Sequence, residues 1–161
     1  MDNSKLLELM NKPKQELVRL LLEKDDILIP VSVFSSQYGP LESVVKYLSE
    51  KKKLSIKEIA LRLNRSDRTI WATYYAAKRQ AILIPTKSRI IIPLSILSKE
   101  SSSILESLVY YLHDFHSMRF IDISHLINRD IRTVWTCYNR YMKKNHSKPN
   151  QKIMLNMEEK K

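Results

Sequence analysis

Glycine is nearly missing from this sequence: Gly39 is the only one in 161 residues. Phosphate cradles of the P-loop and dinucleotide-binding kinds are built on glycines, which let the backbone approach a phosphate closely, so no such cradle can be written here. Nucleotide-dependent enzymes are thereby largely excluded, and enzymes in general rank last. Cysteine is as scarce. Cys137 stands alone, which rules out an internal disulfide and any Cys-x-x-Cys metal site and fits a reducing compartment. No apolar run approaches the roughly 18 residues of a membrane span. The first residues, MDNSKLLELM, lack a basic region followed by an apolar core. The expectation is a cytoplasmic protein with no membrane partner and no cofactor.

What the chain has in excess is positive charge. Its 28 Lys and Arg face 17 Asp and Glu, a net charge of +11. Such a surplus favours a polyanionic partner, although a basic surface also serves plain solvation.

The chain also repeats itself. Ile56 to Arg79, IKEIALRLNRSDRTIWATYYAAKR, returns as Phe120 to Lys143, FIDISHLINRDIRTVWTCYNRYMK. Asn64, Arg65, Arg68, Thr69, Trp71 and Tyr74 reappear as Asn128, Arg129, Arg132, Thr133, Trp135 and Tyr138, all at an offset of 64 residues. In each copy Ile56, Ile59, Ala60 and Leu63, or Phe120, Ile123, Ser124 and Ile127, fall at helical spacing and predict a short helix ending at the Asn. Asn tolerates the left-handed conformation that a sharp turn needs. Two residues on, Ser66 and Asp130 are strong N-caps, so a second helix starts there and runs toward Arg79 or Lys143. Upstream, Leu41, Val44, Val45 and Leu48 match Leu105, Leu108, Val109 and Leu112, a third amphipathic helix for each copy.

The rest of the chain is organised around these units. Residues 1–26 read as a helical segment broken near Pro13, its apolar stripe either folded onto the first repeat or pairing two copies in a homodimer. Ile27 to Phe34 and Ile90 to Leu97 are β-prone segments interrupted by Pro30 and Pro93. Ala81 to Pro85 and Arg89 to Pro93 suggest a hairpin, either a wing beside the first unit or a strut between the units. The domain reading is therefore 1–26 helical segment, 27–80 first repeat, 81–93 hairpin connector, 94–145 second repeat and 146–161 basic polar tail. The fold class is mainly α: two tandem trihelical helix-turn-helix units with short β segments between them.

The pattern of isoleucine, alanine or serine, a leucine-type residue, a turn, a cap and then Arg-Thr-(Ile/Val)-Trp resembles the helix-turn-helix units of DNA-binding proteins. It looks most like the promoter-reading C-terminal domain of sigma factors and like small tandem helix-turn-helix regulators of archaea, over Leu41 to Arg79 and Leu105 to Lys143. Asn64 and Asn128 stand where such units usually carry glycine, and Arg65 and Arg129 where an apolar residue is usual. The resemblance implies double-stranded DNA as the partner, a role in transcriptional regulation and association with the nucleoid. Architectural coating of DNA and docking of a protein partner are the alternatives.

On the second helix of the first unit, Ile70, Thr73, Tyr74 and Ala77 share one face and Arg68, Trp71, Ala72, Tyr75 and Arg79 another. In the second unit the inward set is Val134, Cys137, Tyr138 and Tyr141, and the outward set is Arg132, Trp135, Thr136, Asn139, Arg140 and Lys143. Candidate base readers are Arg68, Thr69, Trp71, Ala72 and Tyr75, with Arg132, Thr133, Trp135, Thr136 and Asn139. Arg is the commonest such reader because its fork bonds guanine at two acceptors. Thr69 and Thr133 serve equally well as local caps. Trp71 and Trp135 either reach a sugar or thymine methyl or pack on a neighbouring element, the commoner use of an aromatic. Candidate phosphate contacts are Arg62, Arg65, Lys78, Arg79, Arg129, Arg140, Lys143 and Lys144. The unequal reader sets imply an asymmetric target. His113, His116, His125 and Cys137 have ligand chemistry but no familiar zinc spacing, and their aligned positions in the first copy are Ser49, Lys52, Leu61 and Thr73, so no metal is expected.

Overall fold

The computed structural model describes residues 26–80 and 84–146, without the side chain of His146. The expectations for residues 1–25, for residues 81–83 and for the tail from residue 147 lie outside the described residues. The chain is mainly helical. In order it forms β1 (Leu28–Pro30), a 3-10 turn (Val31–Ser35), α1 (Pro40–Glu50), α2 (Ile56–Leu63), α3 (Asp67–Arg79), β2 (Ile91–Pro93), the short α4 (Leu94–Leu97), α5 (Ile104–Asp114), α6 (Phe120–Leu126) and α7 (Ile131–His146). No helix among the described residues is long and apolar enough to cross a membrane.

The described strand pairing is between segments far apart in the chain. β2 pairs antiparallel with β1, with Leu28 opposite Pro93, Ile29 opposite Ile92 and Pro30 opposite Ile91, and of the expected hairpin's first run only Ile84 and Pro85 are described, neither of them in a strand. Beyond the strands, the Val31 N–H donates to Ile90 O at 3.0 Å and the Leu94 N–H to Ile27 O at 2.9 Å. By the alternation of an antiparallel ladder, Pro30 and Pro93 then fall at pairs that exchange no hydrogen bond, so their missing N–H groups cost the ladder nothing. Both Ile29 and Ile92 are fully buried.

Each repeat builds its helices by the same local rules. α1 starts with Pro40 at its first position and the Gly39 N–H bonded to the Glu42 carboxylate at 3.0 Å. α5 carries the full reciprocal cap, the Ser103 N–H on the Glu106 carboxylate at 3.0 Å and the Glu106 N–H on Ser103 Oγ at 3.2 Å. Among the described residues the four non-glycine residues with positive φ are two aligned pairs, Lys53 with Ser117 ahead of α2 and α6, and Asn64 with Asn128 after them. At the second pair the Arg65 N–H reaches back to Ala60 O at 3.0 Å and the Arg129 N–H to Ser124 O at 2.9 Å. These bonds close the chain reversal that stops each helix.

α1, α2 and α3 pack on one another, as do α5, α6 and α7, and α1 also touches α5. The buried apolar residues of both repeats belong to one cluster, from Ile29 and Val31 through Leu48, Leu63 and Ile70 to Leu108, Ile123 and Val134. One core site is filled differently in the two halves. In the first, the small Ala77 leaves room for Tyr38, which is 1% exposed and donates to Ala77 O at 3.1 Å. In the second, the residue aligned with Tyr38 is Ser102 and the residue aligned with Ala77 is Tyr141, which is 3% exposed and stacks on Tyr110 at 4.1 Å. Burial and the neighbouring Asp114 push the Tyr110 phenol up to about 12. The bulk of one tyrosine ring is kept while the element that supplies it changes.

Truncating Ile92 to Ala should cost about 2–5 kcal/mol, as other buried isoleucine truncations do. Because the core is shared, urea unfolding followed by far-ultraviolet dichroism and by tryptophan fluorescence should still show coincident single transitions. Separate transitions from the two probes would contradict a shared core.

Candidate nucleic-acid interface

α3 and α7 begin on their expected caps. Ser66 Oγ accepts the Thr69 N–H at 3.2 Å, and Asp130 Oδ1 accepts the Arg132 N–H at 2.8 Å. Asp67 in the first turn of α3 adds negative charge where the helix dipole favours it. From these starts the 3.6-residue period divides each helix. Ile70, Ala77 and Val134 are fully buried, and Cys137 and Tyr141 nearly so. Thr73, Tyr74 and Tyr138 are half-buried. Burial pushes the Cys137 thiol up, so it stays protonated.

The outer face of α3 presents Arg68, Trp71, Ala72, Tyr75 and Arg79 to solvent. That of α7 presents Arg132, Trp135, Arg140 and Lys143, with Thr136 and Asn139 half-buried beside them. The two tryptophans do not take the commoner packed role: Trp71 is 55% exposed and Trp135 58%. Their neighbours differ. The Trp71 ring lies 4.6 Å from that of Tyr75, whereas the Asn139 amide donates to Trp135 O at 2.9 Å. Thr69 is drawn into the cap, its hydroxyl 2.8 Å from that of Ser66 and its carbonyl accepting from the Thr73 hydroxyl. Thr133, the aligned residue, is exposed.

The basic residues sort into two groups. Arg79, Arg140 and Lys143 are exposed, and Lys78 is also exposed with its ammonium 5.9 Å from the Tyr74 ring and 6.0 Å from the Tyr75 ring. Arg62 is exposed on α2. The Glu58 carboxyl nearby is held below the usual range, first by hydrogen bonds from Ser55 and then by the charge of Arg62.

Three of the expected phosphate ligands make contacts within the protein. Arg65 Nη2 donates to Ser102 O at 3.1 Å, and Arg129 Nη2 donates to Tyr38 O at 2.6 Å. Both arginines are half-buried, and both reach from one repeat to the backbone just ahead of the first helix of the other. Lys144 pairs at 2.8 Å with Glu106, whose side chain is almost fully buried. The chain reversal after α2 or α6 explains the arginines: it aims its last residue at the other unit, where an apolar side chain would be usual. Tyr38 and Ser102, the acceptors, escaped the reading of single side chains, yet they stand at the same 64-residue offset as Arg65 and Arg129.

The histidines of α5 and the turn after it are structural. His113 Nδ1 lies 2.8 Å from Met118 O, and its ring stacks on Phe120. Burial holds the His116 imidazole below its ordinary pKa. Among the described residues no three His, Cys, Asp or Glu side chains come together as metal ligands.

Arg65→Ala and Arg129→Ala should each lower stability by about 1–2 kcal/mol, since each leaves a carbonyl without a charged donor. Arg68→Ala and Arg132→Ala, on open surface, should stay within about 0.5 kcal/mol of the parent. Urea midpoints of the four variants check the division, and equal losses in both pairs would refute it. No protein-family model, no curated protein and no solved structure matches this chain.

Proposed function

We propose that this protein binds double-stranded DNA as a tandem helix-turn-helix protein, reading the major groove with α3 and α7 as a sequence-specific transcriptional regulator. The observation that carries this reading is the pair of outward faces. Aligned positions of two equivalent helices hold an arginine near the N-terminus and a tryptophan more than half exposed three residues on. Core packing does not account for either residue. An exposed arginine at the start of a helix matches the geometry of guanine readout, and an exposed indole offers an apolar surface to thymine methyls or sugars.

The charge balance agrees. A net charge of +11 favours a polyanion, and Lys78, Arg79, Arg140 and Lys143 flank the reading positions on the same two helices, where phosphates lie beside a groove-bound helix. Lys144, ion-paired to Glu106, and Arg65 and Arg129, each committing a donor to a backbone carbonyl of the other repeat, rank behind these four as phosphate contacts.

Selection of the purified protein against a random double-stranded DNA pool at near-physiological salt tests the reading. An enriched motif is the expected result. Retention without a motif would mean an architectural protein, and no retention would mean that the two tryptophans anchor a protein partner instead. On the selected motif, Arg68→Ala with Arg132→Ala should relax sequence preference, losing about 1–3 kcal/mol of discrimination at each guanine. Arg79→Ala should instead weaken all sequences alike and reduce the slope of log affinity against log salt by about one.

A further inference from the structure

The two repeats face each other through contacts that are the same in both directions. The β segments Ile27 to Phe34 and Ile90 to Leu97 match at an offset of 63 residues, one less than the helices, so Ile29 and Ile92 are equivalent, and they pair with each other at the centre of the β1–β2 ladder. The bonds on either side, Val31 to Ile90 and Leu94 to Ile27, are exchanged by the same correspondence. The arginine bonds, Arg65 to Ser102 and Arg129 to Tyr38, are exchanged in the same way at the 64-residue offset of the helices. The packing of α2 on α4 is likewise the counterpart of the packing of α6 on the 3-10 turn. Residue i meeting j while the equivalent of j meets the equivalent of i is the signature of a two-fold interface. A head-to-tail tandem cannot produce it, because there each unit offers its neighbour a different surface.

From this we infer that the DNA target consists of two half-sites in inverted orientation, bound across an internal two-fold axis that passes between Ile29 and Ile92, and that the half-sites are alike at one position and unlike at the next. The inference rests on the DNA-binding reading above. A two-fold protein mirrors its symmetry in its site, so α3 and α7 meet the duplex in opposite directions rather than in tandem. Arg68 and Arg132 are equivalent and call for the same base in each half. One turn further along the helices the equivalence fails. Ala72 and Tyr75 give the first unit a small apolar and an aromatic contact, while Thr136 and Asn139 give the second a hydroxyl and an amide. The amide of an asparagine suits adenine, and an apolar side chain suits the thymine methyl. The halves therefore differ, and the protein sits on its site in one direction only.

The experiment is the random-pool selection carried out in parallel on the full chain and on two variants that exchange the outward residues, A72T/Y75N and T136A/N139Y. For the parent we expect two half-sites in inverted orientation with a shared guanine and differing neighbours. For A72T/Y75N both halves should carry the sequence of the parent's second half-site. For T136A/N139Y both should carry that of the first. Direct orientation of the half-sites, or a motif unchanged in both variants, would overturn the inference while leaving DNA binding intact. Failure of the parent itself to retain duplex DNA would instead remove the reading on which the inference stands.

Discussion

The whole arrangement depends on one short antiparallel contact, three residues of β1 against three of β2. Alone, a two-stranded ribbon of this length is marginal in water. Here it is held because Ile29 and Ile92 are driven into a core to which both repeats contribute, and because Arg65 and Arg129 tie each chain reversal to the opposite unit. The ladder fixes the direction of the two halves and the arginines fix their rotation. α3 and α7 lie at the periphery of this assembly, each supported by the two other helices of its own unit. Their outward faces are consequently set by contacts that none of their outward residues makes.

Much of this was legible in the sequence because local chemistry determined it. Asn64 and Asn128 marked the left-handed turns, Ser66 and Asp130 marked the helix starts, and the 3.6-residue period separated Ile70, Ala77 and Val134 from Arg68, Trp71 and Trp135. What could not be read in this way was everything decided by partners far apart in the chain. The run from Arg89 to Pro93 carries β propensity but no indication of which strand it joins, and a nearby isoleucine run made a hairpin the natural expectation. Arg65 and Arg129 look like surface cations in a basic chain, since nothing beside them in sequence identifies a backbone carbonyl of the other repeat as their partner. The exposed tryptophans ran against the usual fate of aromatic residues, so the helical period located their face better than residue type did.

The two halves have diverged in their interiors as well as on their surfaces, and the interior shows how that is tolerated. Tyr38 with Ala77 and Ser102 with Tyr141 are two solutions to filling one place, a ring supplied from the loop before α1 or from the last turns of α7. The polar atoms follow the ring. Lys46 lies 5.6 Å from the Tyr38 ring and bonds Glu50 in the first half, while Tyr110 takes its position in the second and stacks on Tyr141. Such exchanges keep core volume, and hence helix placement, nearly constant. They free the outer faces of α3 and α7 to differ without disturbing the frame that holds them.

Joining the halves in one chain makes that difference usable. Two identical subunits meeting at a two-fold interface must present identical faces, so any change to one reading helix is imposed on the other. Separate subunits meeting through this ladder, the arginine bonds and a shared core would also depend on concentration for their association. Within one chain the connection between α3 and β2 supplies the second half at an effective concentration in the millimolar range or above, as short linkers do, so the halves meet at any protein concentration. The first face can then hold an aromatic pair, Trp71 against Tyr75, while the second keeps Trp135 beside Asn139. For a DNA-reading protein the consequence is directional: unequal faces on a two-fold frame distinguish one end of a site from the other, which a symmetric dimer on a palindrome cannot do.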